Sequence, residues 1–192
     1  LYVRQQASKI GFPLSVVNPS TVVGGQATGE TEQIGGFGHL VGMTRRKLML
    51  FIPGGKKYWL PMVSDVVLGD TIVYLAQMRN VRSKTYSFTP NKTESMNMIE
   101  LSRLVSTQLQ ILKPRLTIPT SVIKIILTLG VGKFFNIPTG TIGFVSKKVF
   151  DNQATNQLIR EMGISEIFNE SLLPNIVSDL DYRLTYSDET EM

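Results

Sequence analysis

Leu14-Ser15-Val16-Val17-Asn18-Pro19-Ser20-Thr21-Val22-Val23-Gly24-Gly25 decides how this chain is read. An apolar run enters Asn-Pro, takes a second apolar step and ends on paired glycines. β-branched residues bounded by turn residues read as a strand, and a nearly continuous apolar run suits a parallel strand covered on both faces. In open α/β sheets, ligands bind outside the carboxyl ends of such strands. Residues 14–23 are therefore expected to form one buried strand whose end faces a ligand. Such a strand normally follows several others, so the chain is expected to be the back half of a larger protein.

Outward from this strand, residues 1–10 read as the end of a helix, stopped by Gly11 and Pro13. Residues 26–36 are polar and glycine-rich, hence a loop. A helix is expected over 40–49, with Arg45, Arg46 and Lys47 near its end, where cations suit the dipole. Pro53-Gly54-Gly55 marks a turn. A short strand over 58–63, a helix over 66–77 and a strand over 85–88 follow. The next helix has the clearest start: Asn97 caps it and Glu100 completes a capping box. Leu101, Leu104, Val105, Leu109 and Leu112 then share one face. Pro114 and Pro119 frame an extended piece. Helices are expected over 121–135, 152–162 and 174–180, with the acidic end 188–192 frayed. Strands early and helices late indicate an α/β protein: the C-terminal part of a parallel sheet plus a mostly helical subdomain.

Composition bounds the function. The 192 residues include 42% hydrophobic and 18% charged residues, as in an ordered globular protein. The net charge is +5, but Lys and Arg are scattered and cluster tightly only at Arg45-Arg46-Lys47, so nucleic acid is not expected as a partner. The absence of cysteine excludes disulfides, thiolate metal sites and a Cys nucleophile, and fits a cytoplasmic location. No signal peptide is visible. The apolar stretch 122–137 is broken by Lys124, Gly130, Gly132 and Lys133, and is too short for a membrane span. A helix packed over a substrate cleft is the preferred reading of it, with a membrane-surface helix as the alternative.

Other constellations have plain explanations. Gly36-Phe37-Gly38-His39-Leu40-Val41 imitates a dinucleotide fingerprint but lacks the third glycine and a preceding strand. Residues 24–29 have P-loop spacing, but Glu30 and Thr31 follow where Lys and Ser/Thr are needed. The single histidine, His39, cannot build a His-rich metal site, and no metal is expected. No Gly-x-Ser-x-Gly elbow occurs. Tyr58 and Trp59, beside Lys56 and Lys57, read as an aromatic anchor that could also line a pocket. Asp65 and Asp70 suit a helix start. Ile123, Ile126 and Leu127 read as core.

At Asn18-Pro19-Ser20-Thr21-Val22-Val23-Gly24 the chain resembles the extended short-chain dehydrogenase/reductase family. Those proteins include nucleotide-sugar epimerases and dehydratases and the reductases of fatty acyl and peptidyl thioesters. Trp59-Leu60-Pro61-Met62-Val63-Ser64-Asp65 resembles the segment before the family's Val-Asp-Asp helix. Lys84-Thr85-Tyr86-Ser87-Phe88-Thr89 resembles its returning strand, and Asn97-Met98-Ile99-Glu100-Leu101 its next helix. The match covers about residues 1–112.

The resemblance implies a Rossmann-like fold. Residues 1–25 and 58–90 would be terminal elements of the Rossmann-like domain, and 26–57 and 91–192 a substrate-binding subdomain. It implies NAD or NADP as cofactor of the parent protein, with Pro19 shaping the backbone against the nicotinamide and Val22 offering its main-chain amide. Asn18, Thr21 and Gly24 would border the substrate, and Arg45 would hold a phosphate of the substrate or its carrier. No catalytic residue is assigned: Gln5 stands where the family's Tyr-x-x-x-Lys needs Tyr, and Ser8-Lys9 only imitates the motif's end. The Tyr, the Lys and the glycine-rich loop are expected upstream, so the chain alone is expected to be inactive and to bind NAD or NADP weakly. Asp65 falls one position before the family's acidic residue, where Val66 stands. The apolar stretch 122–137 favours an apolar or carrier-linked acyl substrate over a nucleotide sugar. A nucleotide-sugar epimerase or dehydratase fragment, a non-catalytic ligand- or partner-binding domain and a membrane-associated lipid-handling protein are the alternatives. An uncovered apolar strand at residues 16–23 would also favour self-association.

Overall fold

A computed structural model describes residues 2–31, 35–49, 51–79, 83–129 and 143–190. Its elements run α1 (Tyr2–Lys9), β1 (Val16–Pro19), β2 (Thr21–Val23), α2 (Gly35–Arg45), β3 (Phe51–Pro53), β4 (Met62–Ser64), α3 (Asp65–Gln77) and β5 (Thr85–Phe88). After these come α4 (Met98–Gln108), β6 (Leu116–Ile118), α5 (Thr120–Thr128), α6 (Gln153–Glu161) and α7 (Leu173–Thr190). All three strand pairs are parallel: β1 with β5, β2 with β4, and β3 with β6. The fold is α/β, with the strands concentrated early and the helices late.

The expected single strand over 14–23 is two strands in different pairs. Val16 to Pro19 lie against Thr85 to Phe88 in register. The Ser20 N–H then donates to the Phe88 carbonyl, and the Thr21 N–H to the Pro61 carbonyl. The chain thus changes partner at Ser20, directly after a proline that has no N–H to give a ladder. Val16 and Val17 are only half-buried. Among the described residues β1 pairs with β5 alone.

The β2–β4 pair separates two cores. Side chains alternate across a strand, so Val23 and Met62 pack into one core while Val22 and Val63 pack into the other. The first core gathers Phe37, Leu40 and Val41 of α2, Met98, Leu101 and Val105 of α4, and Leu173, Ile176, Val177 and Leu180 of α7. The second places Tyr86 and Phe88 of β5 against Leu75 of α3 and Leu158 and Ile159 of α6. One core belongs to a helical lobe, the other to the sheet.

Several boundaries differ from the sequence reading. Helix α2 begins at Gly35, inside the expected loop, and ends at Arg45; Lys47 is left-handed (φ 57°) and cannot extend it. The short strand β3, unforeseen before Pro53, forms because β6 lies alongside. The strand expected over 58–63 is confined to Met62–Ser64. Helix α4 ends at Gln108 and Gln110 is left-handed (φ 56°), so Leu112 leaves the helical face and is exposed. Helix α7 continues through Thr190, well past the expected end. The second half of the helix expected over 121–135 lies outside the described residues, as do residues 191 and 192.

The capping box forms as read. Asn97 Oδ1 accepts from the Ile99 and Glu100 amides, and Glu100 Oε2 accepts from the Asn97 amide at 3.0 Å. Asn97→Ala should therefore cost about 1 kcal/mol, read as a lowered thermal midpoint.

Candidate functional site

An open cleft of about 740 Å³ lies at the carboxyl ends of β1 and β5. Asn18, Pro19, Ser20 and Thr21 form one wall, and Ser87 and Thr89 continue it from β5. Tyr58 and Pro61 border it from the segment before β4. Thr120 and Lys124 of α5 and residues 143–148 and 150 close the opposite side. This is where an open parallel sheet offers a ligand crevice.

Local bonding explains why these segments meet. The parallel β3–β6 pair carries the chain into α5, where the Thr120 hydroxyl donates to Tyr58 Oη at 3.0 Å. Trp59 and Ser146 exchange backbone hydrogen bonds of 2.9 and 3.0 Å. The Trp59 indole N–H, on a fully buried ring, donates to the Lys148 carbonyl at 3.0 Å. Lys92 Nζ donates to the carbonyls of Lys57 (2.9 Å) and Lys147 (2.7 Å). Behind β5, Thr155 Oγ1 donates to the Ser87 carbonyl and Asn152 Nδ2 to the Thr89 carbonyl. These two bonds brace the wall from outside.

Two features give the cleft its chemistry. Lys124, Lys147 and Lys148 line it and no carboxylate does, so its field favours anions. The Ser20 hydroxyl oxygen is buried in the wall with no hydrogen-bond partner among the described residues. An unmet polar group of this kind is costly, and a ligand that bonds it recovers the loss.

Of the residues singled out from the sequence, Asn18, Pro19 and Thr21 come together in this cleft. Val22 packs into the sheet core beside Val63 and is not among the lining residues. Gly24 begins the loop after β2, where a side chain would strike the Glu30 carbonyl. Arg45 forms an ion pair with Asp181 of α7 and does not line the cleft. Asp65 Oδ1 accepts from the Gly25 amide at 2.8 Å, tying the loop after β2 to the start of α3. Gly36 packs its backbone onto the Phe144 ring, where a Cβ would come within 2.4 Å, so this glycine serves close packing. The side chains of Ile126 and Leu127 lie outside the described residues. Sequence reasoning missed Lys124, Lys147, Lys148, Phe144 and Thr120. For Tyr58 and Trp59 both halves of the reading are realised: Trp59 anchors and Tyr58 lines.

A second cavity of about 510 Å³ opens between residues 90–95, α6 and residues 164–171. Glu170 borders it, and burial raises its carboxyl above the ordinary 4.5; the Met96 N–H bonded to it pulls the other way, and the charge of Glu100 reinforces the rise. The folded chain therefore keeps this proton to higher pH than the unfolded chain does. Stability contributed by the protonated group falls as pH rises from about 4.5 through the folded value. Glu170→Gln keeps an acceptor for Met96 and should remove that decline. Urea midpoints at about pH 5 and pH 8 check it: the variant's advantage should grow with pH. Among the described residues, no three His, Asp or Glu side chains gather as metal ligands.

No protein-family model matches the chain, and no curated protein matches it. Solved structures do. The protein gox2253 superposes with a TM-score of 0.59 at 16% identity, covering 95% of this chain and 53% of that one. A Pseudomonas aeruginosa protein, PA4631, described as a nucleoside-diphosphate-sugar epimerase, gives 0.56 at 16% identity, with 96% and 53% covered. The fold is Rossmann-like. The chain spans about half the length of the two structures it matches.

Proposed function

We propose that this chain is the substrate-binding part of an NAD(P)-dependent oxidoreductase of the extended short-chain reductase type, and that it takes an acyl or other carbonyl or hydroxyl substrate on an anionic carrier. The observation that carries this reading is the cleft at the ends of β1 and β5, walled by Asn18, Pro19, Ser20 and Thr21 and facing three lysines. The strand ends fit the nicotinamide end of such a cofactor: Pro19 offers a rigid surface and Ser20 an unmet hydroxyl. When bound, the nicotinamide supplies or accepts the hydride. The chain's own part is to hold the substrate. Lys124, Lys147 and Lys148 attract the carrier's negative charge, and Tyr58, Phe144 and Val145 give apolar surface to the group being reduced. No residue among those lining the cleft is assigned the proton transfer.

Trp59 is the chain's single tryptophan and abuts the cleft wall, so its fluorescence reports occupancy. Titration with an acyl thioester of a phosphopantetheine carrier should change the emission saturably, and Lys148→Gln should weaken that binding. Turnover by the parent protein restricted to nucleotide sugars would instead select the second reading, an epimerase or dehydratase. That reading draws on the likeness to PA4631.

A further inference from the structure

Between Glu100 and Asp151 the chain has no acidic residue. Residues 101–150 hold seven of the twenty cations and none of the fifteen anions, so they carry +7 while the other 142 residues carry −2. Six of the seven lie on described residues: Arg103 on α4, Lys113 and Arg115 just before β6, Lys124 on α5, and Lys147 and Lys148 in the far wall of the cleft. The same region exposes apolar side chains: Val122 is 41% exposed, Ile125 60%, Leu129 76% and Val149 77%.

Helix α5 sorts these residues by face. At about 100° per residue, Thr120 and Lys124 share one side, and both border the cleft. Val122 and Ile125 centre roughly 150° away, on the outer side, and Leu129 follows directly after the helix, its N–H donating to the Ile125 carbonyl. No helix among the described residues is long and apolar enough to cross a membrane. A short amphipathic helix in a cationic stretch of chain has another option, which is to lie in the plane of the headgroups. Lysines attract anionic headgroups while the apolar side chains enter the acyl boundary. A polyanion such as nucleic acid would satisfy the charge but leave Ile125 and Leu129 against water.

We propose that the outer face of α5, set in the stretch of chain that holds seven cations and no anion, docks this protein onto an anionic lipid bilayer. Docked in this way, α5 covers the cleft with one face and meets lipid with the other. If the acyl-substrate reading holds, the cleft mouth then adjoins the phase where acyl chains reside.

Vesicle flotation with the full chain tests the docking without reference to turnover. Phosphatidylcholine vesicles containing phosphatidylglycerol should carry the protein, pure phosphatidylcholine vesicles much less, and high salt should release it. Ile125→Asp with Leu129→Asp should weaken partitioning by about tenfold or more for each buried side chain lost. Both positions are exposed, so the thermal midpoint should stay put. Ile10→Asp with Phe12→Asp, on another exposed apolar face, should leave partitioning unchanged. Absence of binding to the anionic vesicles, or equal binding by the α5 double variant, overturns the proposal. So does tighter binding to a DNA duplex than to the vesicles. Failure of acyl thioesters to bind the cleft leaves these lipid outcomes unaffected and bears on the substrate reading alone.

Discussion

Trp59→Ala should cost about 3–5 kcal/mol, the range for truncating a buried aromatic ring. That is a large share of a domain's total stability of about 5–15 kcal/mol. The ring is fully buried and lies 6.5 Å from Phe150. Its N–H holds the Lys148 carbonyl, while its backbone bridges Ser146 and Asn97. Truncation removes the packing and one of the ties that hold the far side of the cleft. Trp59→Phe should be milder, losing part of the volume and one hydrogen bond of about 1 kcal/mol. Urea denaturation followed by circular dichroism suits the series, because the variants carry no tryptophan to report. An alanine variant within 1 kcal/mol of the parent would contradict the anchoring role.

The second large effect is expected at Gly29. Its φ is +77°, and a Cβ there would approach the Asn175 carbonyl carbon to 2.4 Å and the Ile176 nitrogen to 2.5 Å. Both obstacles are backbone atoms of α7, so no rotamer change relieves them. Gly29→Val combines left-handed strain of about 1–2 kcal/mol with overpacking of about 1–3 kcal/mol. At roughly 2–4 °C per kcal/mol for a chain of this size, the thermal midpoint should fall by roughly 4–20 °C. Gly163→Ala is a useful comparison: φ is +75° there, but nothing lies within 4 Å of the added carbon. Set against Gly29→Ala, which adds the same single carbon at a similar φ, it separates the collision with α7 from the strain.

What the sequence discloses divides along the range of the signal. Asn97 and Glu100 are three residues apart, and their capping box was legible because every participant is local. The helix at Asp65–Gln77 was legible from the carboxylates Asp65 and Asp70 near its start, which are local to it as well. The break at Ser20 was not legible, because it depends on Phe88 offering one carbonyl and Pro61 the next. Asn18, Pro19 and Thr21, singled out through the family resemblance of the strand end, do line one cleft. Lys124, Lys147 and Lys148 reach the same cleft only through β3 pairing with β6 and Trp59 pairing with Ser146. Arg45 had the charge for a phosphate, but Asp181 takes it from 136 residues away. No local pattern contains that distance.

The seam between the loop after β2 and α7 dictates an order of events during synthesis. Asn175 donates to the Ala27 carbonyl, Asp179 accepts from the Thr31 amide, and both pairs are 148 residues apart. Gly29 has no surface to settle on until the ribosome has emitted the helix beginning at Leu173. At roughly 5–20 residues per second, that interval is on the order of ten seconds. During it Phe37, Leu40 and Val41 lack their partners Ile176, Val177 and Leu180. The helical lobe closes only once α7 has been made, and until then the nascent chain exposes the apolar side of α2.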